Sequence, residues 1–198
     1  MTRQLLFVQG GGEAAHEAWD RRLVEDLGQA LGSGYTIRYP RMPDEGDPRY
    51  ARWKAALRRE IDALDEGALL VGHSIGATVL VHSLAEDPPA RAPAGLFLLS
   101  TPFIGEGGWP SDEIRPRPDL GARLPTGTRV YLYQGEADDT VPVCHIDLYA
   151  KAIPQAVVRR LSGRDHQLND DMSEVAADIL ALARRKDWIR AQTETGEE

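Results

Sequence analysis

Six short apolar or β-branched runs alternate along the chain with segments of helical periodicity, and this alternation limits the possible folds more than any other feature. The runs are Leu5–Val8, Tyr35–Tyr39, Ala68–Val71, Leu96–Leu99, Val130–Tyr133 and Val157–Leu161. Most of them are continuously apolar, which is typical of strands that are covered on both faces. Strands that alternate with helices predict right-handed crossovers. We therefore expect an α/β protein, a three-layer α/β/α sandwich with a mostly parallel six-stranded sheet.

Between these runs, apolar residues recur at spacings of three and four, which predicts helices. The periodic segments are Trp19–Leu31, Tyr50–Leu64, Ile75–Leu84, Val143–Ile153 and Met172–Ala183. In the first segment the apolar residues recur every four positions, at Trp19, Leu23, Leu27 and Leu31. Residues 101–125 break the rhythm, because they are rich in proline and glycine and have no clear periodicity. A connection of that length in a compact domain is usually functional or disordered.

The composition is that of a soluble globular chain. With 198 residues, 42% of them hydrophobic, we predict one domain over residues 1–186 and a polar tail over residues 187–198. The formal net charge of −8, with both signs spread along the chain, argues against a nucleic acid or an anionic membrane as partner. The single cysteine, Cys144, excludes an internal disulfide framework, and no apolar run has the ~18 residues of a membrane span. We expect a cytoplasmic monomer or homodimer.

One apolar run leads into the pentapeptide Gly72-His73-Ser74-Ile75-Gly76, and a helical segment follows it. A G-x-S-x-G sequence between a strand and a helix is typical of a nucleophile elbow, a sharp turn that holds a serine hydroxyl at the end of the strand. Both flanking positions require glycine because the strand and helix backbones approach too closely for a Cβ atom. The alternative is an ordinary glycine-rich turn.

A serine hydroxyl needs a base to take its proton, and the base needs an acid to hold its tautomer. Candidates for both follow later strands: Asp138 after the fifth run and His166 after the sixth. The order Ser74, Asp138, His166 is the order of an α/β-hydrolase triad. For the acid, the alternatives are Asp139, Glu136, Asp147 and Asp165. For the base, the alternative is His145.

Over residues 4–185 the chain resembles the α/β-hydrolases, in particular the small, nearly lidless serine hydrolases related to the retinoblastoma-binding serine hydrolase. The resemblance rests on the pentapeptide, on segment 135–142 (GEADDTVP), which is similar to the family's G-x-x-D-x-x-V-P, and on loop 163–166 (GRDH). It implies Ser74 as nucleophile, Asp138 as orienting acid and His166 as general base. It also implies a minimal α/β-hydrolase fold that lacks the first two strands and the helical cap of larger members.

The chain departs from many relatives after its first strand, where it carries Gln9-Gly10-Gly11-Gly12 in place of a His-Gly pair. An oxyanion hole needs backbone N–H groups, so we expect it to tolerate the loss of the histidine. The predicted donors are the amide of Ile75 and the amide of Gly11 or Gly12, each worth about 3–4 kcal/mol of barrier. A phosphate-binding loop is the alternative, but the lysine of a P-loop and the G-x-G-x-x-G spacing are missing.

The segment 101–125 leaves the carboxyl end of the fourth predicted strand, close to the expected position of the serine. Its apolar residues Phe103, Ile104 and Trp109, together with Gly12, are predicted to form a pocket for the acyl group of the substrate. The alternative is that the apolar residues only anchor the segment to the core. Weaker candidates for the walls of the pocket are His16, Tyr39, Arg41 and Met42.

We expect no cofactor and no metal, because no pair of His, Cys, Asp or Glu residues has convincing metal-ligand spacing. His73 is expected to pack beneath the serine, and Cys144 to be buried or half-buried. These features predict a serine hydrolase that cleaves a small carboxylic ester or thioester through an acyl-enzyme intermediate, with a small-molecule acyl substrate as its partner. The alternative is a catalytically weak hydrolase-fold protein that acts as a protein-interaction module.

Overall fold

The computed structural model describes the backbone of residues 2–195 and the side chains of residues 2–185. Within these residues a single sheet contains six strands, β1 (Arg3–Val8), β2 (Tyr35–Arg38), β3 (Leu69–His73), β4 (Gly95–Leu99), β5 (Arg129–Gly135) and β6 (Val157–Leu161). All neighbouring pairs are parallel, and the strand order is β2-β1-β3-β4-β5-β6. The predicted six-stranded parallel sheet is confirmed.

Helices cover both faces of this sheet. In the described part of the chain they are α1 (Asp20–Leu31), α2 (Tyr50–Asp62), α3 (Ser74–Glu86), α4 (Leu120–Arg123), α5 (Cys144–Ala152) and α6 (Ser173–Thr195). Helices α1 and α6 bury their apolar residues against one face, while α2, α3 and α5 do so against the other. The two apolar cores that result make the three layers of an α/β/α sandwich.

The inner strands are buried because helices lie above and below them. Every residue of β3 and β4 is buried. Strand β6 lies at an edge of the sheet and exposes Arg159 and Arg160, while β2 at the other edge is only partly buried. A continuous apolar run therefore identifies the inner strands, whereas the edge strands also contain polar residues that reach solvent.

The direction in which strands are added reverses between β1 and β3. Strand β1 pairs with β2 on one side and with β3 on the other, and Val8 lies opposite Gly72. The ends of both strands therefore lie side by side, and the segment 9–12 and the pentapeptide leave the sheet there. Open parallel sheets bind ligands at such a switch point.

A π-helical turn over Ala15–Trp19 precedes α1 and changes the helix register. The hydrogen bond typical of such a turn runs from the Asp20 amide to the carbonyl oxygen of Ala15, five residues earlier. As a result Trp19 is 58% exposed, whereas Leu23, Leu27 and Leu31 are buried. Grouping Trp19 with these leucines was wrong, because a period of four assumes an unbroken α-helix.

Residues 101–125 form an irregular connection that the core anchors at several points. Its buried side chains are Phe103, Ile104, Ile114, Leu120 and Leu124. A β-bridge pairs Ile104 with Trp109. Near its end the connection includes α4, whose four residues are too few to show helical periodicity in the sequence.

The last helix continues to Thr195, into the stretch predicted as a polar tail (187–198), and residues 196–198 lie outside the described residues. No helix in the described part of the chain has both the length and the apolar character that crossing a membrane requires.

Candidate active site

Ser74 lies on a strained turn between β3 and α3. Its φ angle is 51°, which is uncommon for a residue with a side chain. A Cβ on Gly72 would lie 2.7 Å from Cα of Ala77, and a Cβ on Gly76 would overlap the carbonyl oxygen of Gln9. Both positions therefore require glycine, and the pentapeptide forms the sharp strand-to-helix turn that the sequence predicts.

The hydroxyl of Ser74 begins a chain of hydrogen bonds to His166 and Asp138. Ser74 Oγ lies 3.0 Å from His166 Nε2, and His166 Nδ1 lies 2.8 Å from Asp138 Oδ2. The Asp138 side chain is fully buried, while that of His166 is 12% exposed. A base with one nitrogen toward a hydroxyl and the other toward a carboxylate is arranged to take the hydroxyl proton.

Several donors hold the carboxylate of Asp138 in place. Its Oδ1 accepts the backbone amides of Thr140 and Val141 at 2.9 and 2.8 Å, and its Oδ2 accepts the Gln134 amide group at 2.7 Å. Burial opposes ionisation, but the hydrogen bonds from His166 and these backbone amides outweigh it and lower the pKa of Asp138 below its usual value. Asp138 is therefore an ionised acceptor at neutral pH.

The other acidic candidates are exposed, and among the described residues Asp138 is the carboxylate that contacts the His166 ring. Asp165 bonds Asn169, and Asp147 pairs with Arg160. The alternative base His145 is buried and accepts the Phe103 amide at 2.8 Å, and burial lowers its pKa. The geometry brings together Ser74, His166 and Asp138 and leaves out His145, Asp139, Glu136, Asp147 and Asp165.

The segment that carries His166 lies directly against the end of β5. A Cβ on Gly135 would overlap the carbonyl oxygens of Arg164 and Asp165. The Glu136 amide donates to Leu161 O at 3.0 Å, and the Ala137 amide donates to Arg164 O at 2.9 Å. The glycine of the G-x-x-D-x-x-V-P segment thus allows the loop after β6 to approach Asp138.

Three consecutive glycine amides face the region beside Ser74, and two of them are occupied. Gly10 N donates to Asp20 Oδ2 at 2.5 Å, and Gly12 N donates to Glu45 O at 2.6 Å. Gly11 N has no acceptor within the described residues. The amide of Ile75, in the first turn of α3, has no intrahelical partner. Gly11 and Ile75, the two predicted donors, thus have backbone amides without an acceptor in the described residues.

The glutamine that replaces the family's histidine anchors this glycine segment. Gln9 is buried, its Oε1 accepts the Met42 amide at 3.0 Å, and its Nε2 donates to Glu45 Oε2 at 2.5 Å. The same carboxylate oxygen accepts the His16 amide at 3.1 Å. The residues 42–45 thus hold the glycine segment in a fixed position.

A cleft of about 260 Å³ opens beside Ser74. Its lining includes the predicted pocket residue Gly12, and also Ala15, Trp19, Thr140, His166 and Gln167. A second cavity, of about 310 Å³, lies beyond Ile75 and includes Ile104 and Trp109, two other predicted pocket residues. Phe103, the remaining one, is buried with its ring edge-to-face against Tyr149.

The weaker wall candidates lie on the loop after β2 and beside it. Met42 is buried in the core, and Arg41 is exposed and paired with Glu17. The rings of Tyr39 and His16 stack with their centroids 4.1 Å apart, and the Tyr39 hydroxyl donates to the carbonyl oxygen of His16 at 2.9 Å.

Two residues near Ser74 were missed by sequence reasoning. Trp19 and Asp20 both line the cleft beside the serine, and Asp20 is buried there. The only sign of Asp20 in the sequence was its position directly after Trp19, an apolar residue of a helical pattern. Cys144 is exposed at the start of α5, so the expectation that it is buried was wrong. Among the described residues, no cluster of His, Cys, Asp or Glu is arranged to hold a metal ion.

Solved structures share this fold at low sequence identity. An esterase domain from Rhodothermus marinus is 20% identical with a TM-score of 0.63, over 92% of this chain and 87% of that one. A serine hydrolase without a lid from Xanthomonas campestris is 16% identical with a TM-score of 0.61, over 93% and 83%. A thioesterase domain from the curacin biosynthetic pathway is 16% identical with a TM-score of 0.62, over 90% and 91%.

At these identities a structural likeness shows the fold alone. No curated protein matches the chain. The sequence profile of the alpha/beta hydrolase family, however, matches residues 5–195, which is nearly the whole chain. With its parallel sheet, its elbow and this match, the chain belongs to the alpha/beta hydrolase family.

Proposed function

We propose that this protein is a serine hydrolase that cleaves a small carboxylic ester or thioester through an acyl-enzyme intermediate. The observation that carries the proposal is the continuous hydrogen-bond chain from Ser74 through His166 to Asp138, with bond lengths of 3.0 and 2.8 Å. The open amides of Gly11 and Ile75 beside the same serine support it, because the reaction needs both an activated nucleophile and an oxyanion hole.

Acylation begins when Ser74 Oγ attacks the carbonyl carbon of the substrate and His166 Nε2 accepts the hydroxyl proton. The imidazolium that forms is stabilised by Asp138, whose Oδ2 accepts a hydrogen bond from His166 Nδ1–H. The carbonyl oxygen becomes an oxyanion and accepts hydrogen bonds from the Gly11 and Ile75 amides. The tetrahedral intermediate then breaks the bond to the leaving group, which takes the proton from His166 Nε2.

Deacylation repeats these steps with water as the nucleophile. His166 Nε2 takes a proton from a water molecule that attacks the acyl carbon, and the same two amides stabilise the second oxyanion. Collapse of that intermediate releases the carboxylic acid and returns the proton to Ser74 Oγ. The cycle needs no group beyond those of the chain and one water molecule.

The cleft supports a small substrate. Its volume of about 260 Å³ lies just below the range of about 300–1,000 Å³ for small-molecule sites. Glycine backbone, Ala15 and the exposed ring of Trp19 offer an apolar surface next to polar Thr140 and Gln167. The names of the Rhodothermus marinus esterase domain and the curacin thioesterase domain agree with an ester or thioester substrate. A cytoplasmic location remains our expectation.

The proposal is tested by labelling with a fluorophosphonate probe and measuring the intact mass. We expect one adduct on the wild type, none on Ser74→Ala, and much slower labelling of His166→Ala. Cys144→Ser is the matched control, because Cys144 is the chain's single cysteine and is exposed. This variant should label at the wild-type rate.

The ester and thioester are then compared as acetyl and butyryl substrates with matched leaving groups. We expect turnover of at least one class, lost in Ser74→Ala. A wild-type protein that is folded but gives neither adduct nor turnover would contradict the proposal. It would favour a protein-interaction module instead.

A further inference from the structure

A second histidine–carboxylate pair, formed by His73 and Asp20, lies next to Ser74. His73 and Asp20 are each only 1% exposed, and His73 Nδ1 lies 2.9 Å from Asp20 Oδ1. The other oxygen of Asp20 accepts the Gly10 amide at 2.5 Å. The other ring nitrogen of His73, Nε2, lies 2.9 Å from the carbonyl oxygen of His166. The pair thus connects the glycine segment to the residue that carries the proposed base.

Both ring nitrogens of His73 face oxygen atoms that accept protons and have none to donate. A carbonyl oxygen is only an acceptor, and so is an ionised carboxylate. A neutral imidazole has one N–H group, so one unprotonated nitrogen would lie within 2.9 Å of an oxygen that has no proton to share. The Nδ1 contact lacks the alignment of a hydrogen bond, and at this distance the attraction between an imidazolium and a carboxylate favours it. The geometry is therefore that of an imidazolium beside a carboxylate.

The surrounding groups favour the charged pair. Burial opposes both charges, but the attraction of Asp20 raises the pKa of His73, and the attraction of His73 lowers the pKa of Asp20. Three other titratable groups act on the pair. Asp138 favours the charged form of His73, and His166 favours the charged form of Asp20. The third is Tyr39, whose own pKa is raised by burial and by Asp20. Of these groups only Asp138 and Asp20 are carboxylates, and Asp20 is the one in contact with His73.

We propose that Asp20 and His73 are positioning residues, a buried ion pair that holds the oxyanion segment through Gly10 and the catalytic base through the His166 carbonyl. Asp20 holds the Gly10 amide, and the next amide, that of Gly11, has no acceptor in the described residues and is the proposed oxyanion donor. The ion pair itself stands on the contacts of the chain, and its effect on catalysis rests on the proposed function.

Two features favour a role in position over a role in stability alone. A buried ion pair is a poor source of stability, because apolar residues of similar volume often stabilise a fold as well or better. Asp20 reaches the site only because the π-helical turn Ala15–Trp19 shifts the register of the following helix. Such turns are frequent at functional sites.

Nitrogen NMR of the imidazole rings tests the charge state without reference to activity. We expect both His73 nitrogens of the wild type to carry protons at pH 7.5, with the signals assigned by their loss in His73→Gln. In Asp20→Asn, the amide replaces the charge and His73 should become neutral, with its proton on Nε2. A neutral His73 in the wild type would overturn the ion pair.

Amide NMR tests the positioning, again without activity. In Asp20→Ala the amide signals of residues 10–12 and of residues 163–167 should shift together, because one pair holds both segments. A shift confined to residues 10–12 would overturn the connection to the base. If Asp20→Ala fails to fold, His73→Ala provides the comparison, because it removes both the partner of Asp20 and the donor to the His166 carbonyl.

Turnover of an acetyl ester then measures the catalytic effect. We expect kcat to fall by about 10²-fold in Asp20→Ala with little change in KM, since a small displacement of reacting groups has that effect. The matched control is Asp178→Asn, which disturbs a half-buried carboxylate that accepts hydrogen bonds from Tyr133 and Arg159. It should lower Tm and leave kcat unchanged. Equal kcat in Asp20→Ala and wild type would overturn the positioning role, whereas an inactive wild type would contradict only the proposed function.

Discussion

The two histidine–carboxylate pairs beside Ser74 have similar distances and different surroundings. In each, a ring Nδ1 lies 2.8 or 2.9 Å from an aspartate oxygen. His166 directs its Nε2 to the hydroxyl of Ser74, which both donates and accepts, and its ring reaches solvent. His73 directs its Nε2 to a carbonyl oxygen, which only accepts, and is buried. The partner of the second nitrogen thus decides whether the pair transfers a proton or holds a position.

Replacing each histidine by glutamine separates the two roles with the largest expected effect. His166→Gln removes the base, so kcat/KM for an acetyl ester should fall by about 10⁴- to 10⁶-fold. His73→Gln keeps a donor for the His166 carbonyl and should lose about 10²-fold through misplacement. Steady-state kinetics on both variants, with circular dichroism to establish folding, makes the measurement. Losses of equal size would break the distinction between the pairs.

The same Asp→Asn substitution should have unequal results in the two pairs. In Asp138→Asn the proton moves to His166 Nε2, which then cannot accept the Ser74 proton, and kcat should fall by about 10⁴-fold. In Asp20→Asn the proton stays on His73 Nε2, where it still reaches the His166 carbonyl, so the loss should be within about tenfold. Single-turnover acylation rates make the comparison. A larger loss in Asp20→Asn than in Asp138→Asn would reverse the assignment.

A third buried histidine lacks a carboxylate and should respond to pH in the opposite sense to His73. Both ring nitrogens of His82 have no partner among the described residues, and burial lowers its pKa to about 4. Because its folded pKa is below its unfolded value, stability should fall as the pH falls from about 6.5 to 4, by roughly 3 kcal/mol. His73 has a raised folded pKa, so its stabilisation is present below about pH 6.5 and is lost as pH rises through the folded value.

Urea unfolding of the wild type and His82→Leu between pH 4 and 8 measures this effect. In His82→Leu the free energy of unfolding should fall less between pH 6.5 and 4 than in the wild type. The decrease that remains comes from carboxylates such as Asp138. An equal decrease in the variant and the wild type would contradict the neutral state of His82.

The smallest expected effects concern the two tryptophans. Trp19 is exposed in the cleft, so Trp19→Ala should raise KM by about tenfold and change the free energy of unfolding by within about 0.5 kcal/mol. Trp109 is half-buried beside Ile104 and its ring meets His145 edge-to-face, so Trp109→Ala should lower stability. If Trp109 also contacts the acyl group, the KM values of the Trp109→Ala variant for acetyl and butyryl esters should change unequally. A uniform loss of stability with unchanged selectivity would contradict that contact.

The parts of the site that the sequence predicted are those in which one short segment specifies its own geometry. Gly72 is required by its contact with Ala77 in the following helix, and Gly76 by the carbonyl oxygen of Gln9 after β1, yet the pattern of five residues is enough to recognise the turn. Asp138 and His166 follow because triad residues occupy loops at the ends of successive strands. The choice of Asp138 over its acidic neighbours came from the resemblance, and the structure supplies its physical basis in the hydrogen bonds from Thr140, Val141 and Gln134.

The parts that the sequence missed depend on contacts between distant segments. The π-helical turn that exposes Trp19 and buries Asp20 leaves no mark in hydrophobic periodicity, which assumes one helical pitch. The state of each glycine amide depends on acceptors elsewhere in the chain, Asp20 for Gly10 and Glu45 for Gly12. Cys144 is exposed while His145 and Ile146, the next two residues of α5, are buried, and a single residue type does not reveal which side of a helix faces solvent.

By itself, then, the sequence determined the parallel sheet, the turn around Ser74 and the order of serine, acid and base, because apolar patterning and the glycine–serine pentapeptide are recognised within short segments. Only the tertiary structure decided which amides remain open, where Trp19 points, and that His73 faces a buried aspartate. These features depend on distances between residues such as Gly10, Asp20, His73 and His166, which come from separate elements of the fold. A distance of that kind exists only after the chain has folded.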